Sequence, residues 1–386
     1  MLALGGAEAA WIALMVVVYD RTHSTYWLSA GLFLTFGASG VFGPLGGLLA
    51  DRTDRRLVMV GSDLLTAGAA VAMIAAHSPP VLLGAAFASA VAQAPFNAAA
   101  AGAVPNLVAP EDLAWANSTM GIGRGAGYLI GPLLGGVLVG AVGGAAVFAL
   151  FAVCVVCSAG LVASVRGNFA VSGRPAAADA GGLRAGFAFV GRDPVLLRIA
   201  LAWMVLLFLT GPVLVAELPL ARSFGQGSTG YGMLAAAWAA GSLAGAFAGR
   251  RLSRAGERRA MVWGVVAVAA GLLVVAASPV FAPVLAGLLW AGLAEGVLSV
   301  AEQNIIQRAS PDAVRSRVNA AVEAAALMAF ALSFSLAGFA IALVGVRGVY
   351  AVAAAGHLAG AGILSGAMRR DRGRQLSRTP GRPEGV

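Results

Sequence analysis

Runs of about twenty apolar residues recur along the whole chain, separated by short polar stretches. A helix needs about 20 such residues to cross the hydrocarbon core of a bilayer. Twelve runs can be marked, the first beginning almost at Met1 and the last ending near residue 368. They are continuous rather than alternating, which favours spanning helices over a β-barrel. Composition agrees, with 59% of the 386 residues apolar and 11% charged. A soluble domain is nearer half apolar and a quarter charged, so a soluble enzyme of this length would lack the polar surface it needs. The opening MLALGGAEAAWIALMVVVYD has no basic stretch of the kind that starts a signal peptide, and it reads as a first span.

All 26 basic residues are arginine. Such a balance can signal nucleic acid, but these arginines cluster between apolar runs. The preference of cationic loops for the cytoplasm explains them without a nucleic-acid partner. If alternate loops face opposite sides, one side carries 22 arginines. The other carries Arg21, Arg222 and Arg347, and Arg124 falls inside a run. That asymmetry predicts an even number of spans with both termini cytoplasmic. The absence of lysine beside abundant Ala, Gly and Arg points to a GC-rich bacterial genome, hence to a bacterial cell (inner) membrane.

The longest interruption, residues 166–193, contains RPAAADAGG, a composition typical of a linker. It divides the chain into a six-span bundle over residues 1–165 and a second over 194–368, with a polar, flexible tail over 369–386. The two halves echo each other. DRTDRR follows the second run and RRLSRAGERR the eighth; PEDLAWAN follows the fourth and PDAVRSRVN the tenth. A repeat of this length predicts two pseudo-symmetric six-helix bundles, with any substrate site between the repeats near mid-membrane.

The loop from Gly47 to Arg56 reads GLLADRTDRR. It resembles the G-x-L-A-D-R-x-G-R-R signature of the major facilitator superfamily, with Asp54 in place of the second Gly. The resemblance implies a gating loop in which Gly47 allows close helix approach and Asp51, Arg52, Arg55 and Arg56 make charge contacts that form and break between the bundles. The fifth run carries Gly127, Gly131, Pro132, Gly135 and Gly136, similar to the drug–proton antiporter motif of that superfamily, G-x8-G-x3-G-P-x2-G-G, with Ser118 replacing its first Gly. Physically, Gly123, Gly127, Gly131 and Gly135 form one smooth helix stripe, and Pro132 removes a backbone donor and bends the helix. Gly241, Gly245 and Gly249 form another stripe on the eighth run. The two stripes are expected to pack together as a seam between the halves. VPNLVAPEDLAWANS, LRAGFAFVGRDPVLLRIA and NIIQRASPDAVRSRVN look like the macrolide-efflux and siderophore-exporter-like branch. The fourth-helix arginine of many proton-coupled members is absent around Gln93, Pro95 and Asn97.

Ionisable residues inside membrane spans are functional candidates. Here they are Glu8, Asp63, Arg124, Glu295, Glu302 and Glu323. Carboxyls that face a cavity could carry protons and attract cationic substrates. For Asp63, Arg124, Glu302 and Glu323, near the ends of their spans, structural pairing with loop charges is the competing reading. Glu217 reads as a solvated rim residue. Trp11, Phe33, Phe36, Trp203, Trp238 and Trp290 are candidate cavity linings, although packing or lipid contact is the commoner role of such residues. Cys154 and Cys157 form a CxxC inside an apolar run and read as packing residues. Gly121, Gly123 and Ala126 mimic a dinucleotide fingerprint without its strand context. There is no phosphate-binding G-x-x-x-x-G-K-[ST] loop, HExxH or nucleophile triad, so no cofactor, no metal and no enzymatic activity are expected.

These features predict an all-α secondary transporter with twelve transmembrane helices, a monomer that exports small amphipathic compounds such as drugs, macrolides or siderophore-like metabolites against protons. The alternatives are an importer or uniporter of a metabolite, and a non-transporting membrane enzyme or sensor.

Overall fold

The computed structural model describes residues 2–167, 169, 180–310 and 315–376. Residues 170–179 of the expected linker, Pro311, residues 377–386 of the tail and the side chain of Asp51 lie outside the described residues. The first half holds α1 (Leu2–Thr22), α2 (Thr25–Arg52), α3 (Arg55–Ala75), α4 (Pro79–Leu107), a 3-10 turn (Pro110–Asp112), α5 (Leu113–Val142) and α6 (Gly144–Ser164). After α7 (Ala180–Arg192) come α8 (Pro194–Ser223), α9 (Gly227–Gly249), α10 (Arg254–Ala277) and α11 (Phe281–Ala309). The helix Arg315–Leu376 is broken at Gly345, whose φ of 78° is non-helical, giving α12 (315–344) and α13 (346–376).

Among the described residues, ten stretches are long and apolar enough to cross a membrane. One of them, Ala321–Ser365, has 45 residues. At 1.5 Å per residue that is about 68 Å, twice the thickness of a bilayer core, so it holds two spans on either side of Gly345. The 28-residue α2, diluted by Gly, Ser and Thr, is the twelfth. The chain is therefore a multi-pass helical membrane protein of two six-helix bundles, as the sequence predicts. α7 is an amphipathic helix that the sequence reading did not contain; it packs on α8 and on the stretch Arg315–Leu376.

Short connections are fixed by local chemistry. Asp54 caps α3, its carboxylate accepting the backbone N–H groups of Arg56 at 2.7 Å and Leu57 at 3.4 Å. An Asp at this position satisfies donors that Gly would leave open, which accounts for the departure from the family signature. Asp193 caps α8 in the same way, with Pro194 in the first turn.

The halves pack by one plan. In each, the first helix meets the fifth and sixth, the second meets the fourth, and the third meets the fourth. The turns that end α5 and α12 both use a left-handed glycine, Gly143 at φ 83° and Gly345 at φ 78°. Asp20 and Arg222, at the ends of α1 and α8, stand 202 residues apart, the same separation as that pair of glycines. Between the halves, α5 lies on α9 and α2 on α12.

The apolar core shows where the halves join. Its largest cluster, with Ile12, Leu28, Val213, Leu234 and Phe334, belongs to both halves and lies toward the side bearing Arg21, Arg222 and Arg347. Toward the arginine-rich side the core divides. One cluster, with Leu196, Val265 and Ile305, belongs to the second half; another, with Val58, Met59 and Ala99, belongs to the first. The bundles meet at one end and part at the other.

Candidate functional site

The meeting end is a seal built on close backbone approach. A Cβ built at Gly136 would stand 2.5 Å from the Ser228 carbonyl oxygen and 3.1 Å from the Gly232 Cα. One at Gly232 would stand 2.5 Å from the carbonyl oxygen of Pro132. On the other flank, one at Gly338 would stand 2.9 Å from the Cα of Tyr26 and 3.1 Å from the Ser29 hydroxyl. Gly338 and Ser228 are the repeat equivalents of Gly136 and Tyr26, so one contact is made twice about a pseudo-two-fold axis. Across that axis Arg222 pairs with Asp20 and lies 5.1 Å over the Tyr19 ring.

This ion pair is partly exposed, and such pairs contribute about 0.2–1 kcal/mol, with about as much again from a cation–π contact. Arg222→Ala should therefore shift the equilibrium toward opening of this side by about two- to thirtyfold, read as thiol-reagent access to a cysteine placed at Thr25. Because Asp20 and Arg222 occupy equivalent positions, the swapped pair Asp20→Arg with Arg222→Asp should restore closure.

The expected seam of two glycine stripes is not what forms. Gly127, Gly131 and Gly135 face α1, at Leu4, Glu8 and Ala9, and Gly241 and Gly245 face Leu289 and Leu293 of α11. Both stripes pack inside their own half. The seam uses the adjacent row of α5, Pro132, Gly136 and Gly140, against Ser228 and Gly232. Spacing by four identifies a smooth row on a helix, but not the neighbour it meets. The Gly-Pro-x-x-Gly-Gly sequence thus serves two faces, Gly131 and Gly135 toward α1, Pro132 and Gly136 toward α9.

The first face positions a carboxyl group. A Cβ at Gly131 would stand 2.5 Å from that of Glu8, so only glycine lets α1 sit this close. Glu8 lines a cavity of about 280 Å³ with Trp11, Thr35, Phe36, Ser89 and Gln93. Trp11 meets Phe36 edge-on at 5.8 Å. The side chains that line the cavity with the carboxyl are neutral hydrogen-bonding groups and aromatic or aliphatic surface, and Glu8 stands about 9 Å into α1.

The other candidates disperse. Asp63 is fully buried between α3 and α6, both carboxylate oxygens unpaired, with the Ser158 hydroxyl beside it but outside hydrogen-bond geometry. Glu302 is buried near Trp203 and within electrostatic reach of the half-buried Glu295. Arg124 and Glu323 are exposed. Glu217 is half-buried beside the buried Tyr231 and Tyr350 rather than on a solvated rim, because α8 continues past it to Ser223. Of the aromatic candidates, Trp11 and Phe36 line the Glu8 cavity, whereas Trp290 is exposed and donates to the Ala267 carbonyl at 3.0 Å. Cys154 packs against Gly6. Sequence reasoning missed Glu257, which is 3% exposed and pairs with Arg308 and, at 3.0 Å, with the Asn304 amide. An acid in the first turn of α10 among the five arginines of residues 250–259 was the available signal.

In the loop from Gly47 to Arg56, Arg55 donates to the Gly102 carbonyl at 2.7 Å. Arg56 donates to the carbonyls of Val165 at 2.6 Å and Gly167 at 3.2 Å, and lies 4.7 Å over the Phe169 ring. These partners are carbonyls of the same half, at the end where the bundles part, and free carbonyls at the end of α6 attract cations. Arg52 is exposed. A side chain at Gly47 would meet nothing within 4 Å; the close approach is at Gly46, 2.8 Å from the Pro95 backbone. One position along a helix turns the side chain about 100°, enough to exchange a packed face for an open one.

Comparison with known proteins accords with this architecture. The family model of the Major Facilitator Superfamily matches residues 1–218 and again 200–385. Macrolide efflux protein A of Streptococcus pyogenes is 40% identical over 58 residues, which is 15% of this chain and 14% of that protein. A bacterial homologue of the human lysosomal transporter Spinster, inward-facing and unoccupied, superposes with a TM-score of 0.73 at 14% identity, covering 99% of this chain and 97% of that one. An inward-facing bacterial homologue of the iron transporter ferroportin gives 0.70 at 15% identity, covering 95% of each chain. Two matches of the model, one to each half, together with a repeated packing plan and a shared fold, lead to one assignment: the chain belongs to the major facilitator superfamily.

Proposed function

We propose that this transporter exports small amphipathic compounds, cationic ones foremost, in exchange for protons, and that Glu8 is where the two fluxes meet. The observation that carries the reading is the Glu8 cavity: a carboxyl group at membrane depth among neutral polar, aromatic and aliphatic side chains. Such a group can hold either a proton or a cationic substrate, and exclusion of one by the other is the basis of exchange. The exporter motif supports the reading, since its Gly131 sets the distance between α5 and Glu8. So does the short match to a macrolide efflux protein. By the arginine asymmetry, the open end faces the cytoplasm of a bacterial cell with both termini, and the seal of Gly136, Gly232 and Gly338 faces outward. Each chain carries both halves of the pathway and works as a monomer.

The test is a resistance and dye-efflux screen in a pump-deficient host, with and without a protonophore. Expression should lower the accumulation of cationic dyes, and the protonophore should erase the difference. Faster uptake on expression would make the protein an importer.

A further inference from the structure

Inside the seal, α2 and α12 stay in contact as far as Phe36, which lies 5.8 Å from Phe330 and 5.2 Å from Phe334. Beyond Phe36, toward the arginine-rich side, the helices part around a cleft of about 600 Å³ between the halves. That size is typical of small-molecule sites. Phe33, Phe42, Phe87, Leu327 and Met328 line it, and among the described residues none of its lining side chains is ionisable or bears a hydrogen-bonding group. Gly37 and Gly40 form part of its wall, and a side chain at either would meet nothing within 4 Å. Its lip is open, for Val41 and Met328 are each 66% exposed. The Phe36 ring lines this cleft on one side and the Glu8 cavity on the other. A space holding one carboxyl group and a few neutral polar side chains, and a larger space lined by apolar ones, therefore share a single aromatic wall.

We propose that the cleft receives the unbranched hydrocarbon tail of an amphipathic cation whose charged head sits at Glu8, with Phe36 as the specificity-determining partition between head and tail. This rests on Glu8 being the cation site. The division of chemistry fits the two ends of one molecule. The carboxyl selects charge, and the cleft offers nothing to a polar group. Each methylene withdrawn from water strengthens binding by about fourfold, so affinity should climb with chain length until the cleft is full. Closing the arginine-rich side would bring α2 onto α12 along the cleft, so the tail leaves in the same step that turns the head toward the other side.

The experiment uses the full-length protein in nanodiscs and alkyltrimethylammonium probes with six- or twelve-carbon chains bearing a terminal photoreactive diazirine. A twelve-carbon diazirine alcohol is the neutral counterpart. The long cation should label segments 33–42 and 324–331. Gly40→Leu, which fills the cleft from α2, and Leu327→Trp, which fills it from α12, should each lower that labelling about fifteenfold, the worth of about two methylenes. Binding of the six-carbon cation should change less than twofold. Phe36→Ala, which removes the partition, should shift the optimum chain length. Labelling elsewhere, or labelling that both cleft-filling variants leave intact, would overturn the proposal. Labelling by the neutral alcohol equal to that by the cation, and insensitive to Glu8→Gln, would assign the cleft to bilayer chains and overturn it as a substrate subsite. Failure of the underlying reading has a separate signature: Glu8→Gln would leave binding of the six-carbon cation unchanged.

Discussion

Gly136→Val will abolish transport while leaving the protein folded and inserted. A Cβ at this position meets the Ser228 carbonyl oxygen at 2.5 Å and the Gly232 Cα at 3.1 Å. Both are helix backbone atoms and cannot turn aside as a flexible side chain would. Overpacking of this kind costs about 1–3 kcal/mol. Within a bundle the cost would fall on stability. Between two halves that can separate, it is relieved by opening the seal, so it appears as a shift of about 5–150-fold in the conformational equilibrium. The protein would then rest with its arginine-poor side open and fail to return. The measurement is labelling of a cysteine at Thr25 by a membrane-impermeant thiol reagent, with Cys154 and Cys157 replaced, alongside dye efflux. Labelling should rise and efflux vanish. Gly84→Ala, where a Cβ meets nothing within 4 Å, should change neither. Normal efflux by Gly136→Val would show that the α5–α9 contact is not the outer seal.

Glu8→Gln is the second large effect. The substitution preserves shape and removes charge. Hydrogen bonds to a charged group contribute about 1.5–3 kcal/mol, so binding of cationic substrates should weaken by about 10–150-fold. Neutral amphipathic compounds should bind as before, and the dependence of efflux on pH should flatten. Glu323→Gln, at an exposed position of α12, should leave efflux unaltered. Equal loss for cationic and neutral compounds would instead mean that Glu8 holds the packing of α1 on α5. Gly131→Ala probes the same link from the other side. By crowding Glu8 it should impair cation export while leaving the cross-half contact of Gly136 in place.

Much of the fold was legible because membrane insertion leaves few options. Apolar runs of span length, short loops and a 22-to-3 arginine asymmetry specify helices and their alternation directly. The repeat was legible in its loop motifs, and the structure extends it to Gly143 with Gly345 and Asp20 with Arg222. What the sequence could not specify was partner choice. The row through Gly131 meets α1 and the adjacent row through Gly136 meets α9; both are smooth, and sequence spacing describes a helix surface without its neighbour. The same limit moved the close approach from Gly47 to Gly46 and turned Arg55 and Arg56 toward carbonyls of their own half. Glu8 was legible as an oddity, one acid midway along an apolar run. That it shares a cavity with Gln93 and Ser89 of α4 depends on packing between segments some eighty residues apart. Asp54 reads as a departure from a motif until its cap bonds to Arg56 and Leu57 supply a reason.

The most direct measurement is transport by the purified protein in liposomes under an imposed proton gradient. With a fluorescent cation at equal concentration on both sides, the gradient alone should drive it to accumulate against its own concentration difference. Collapsing the gradient should release it, and Glu8→Gln should accumulate none. Movement of the cation that only equalises the two sides, at a rate indifferent to the gradient and unchanged in Glu8→Gln, would contradict proton-coupled exchange at Glu8.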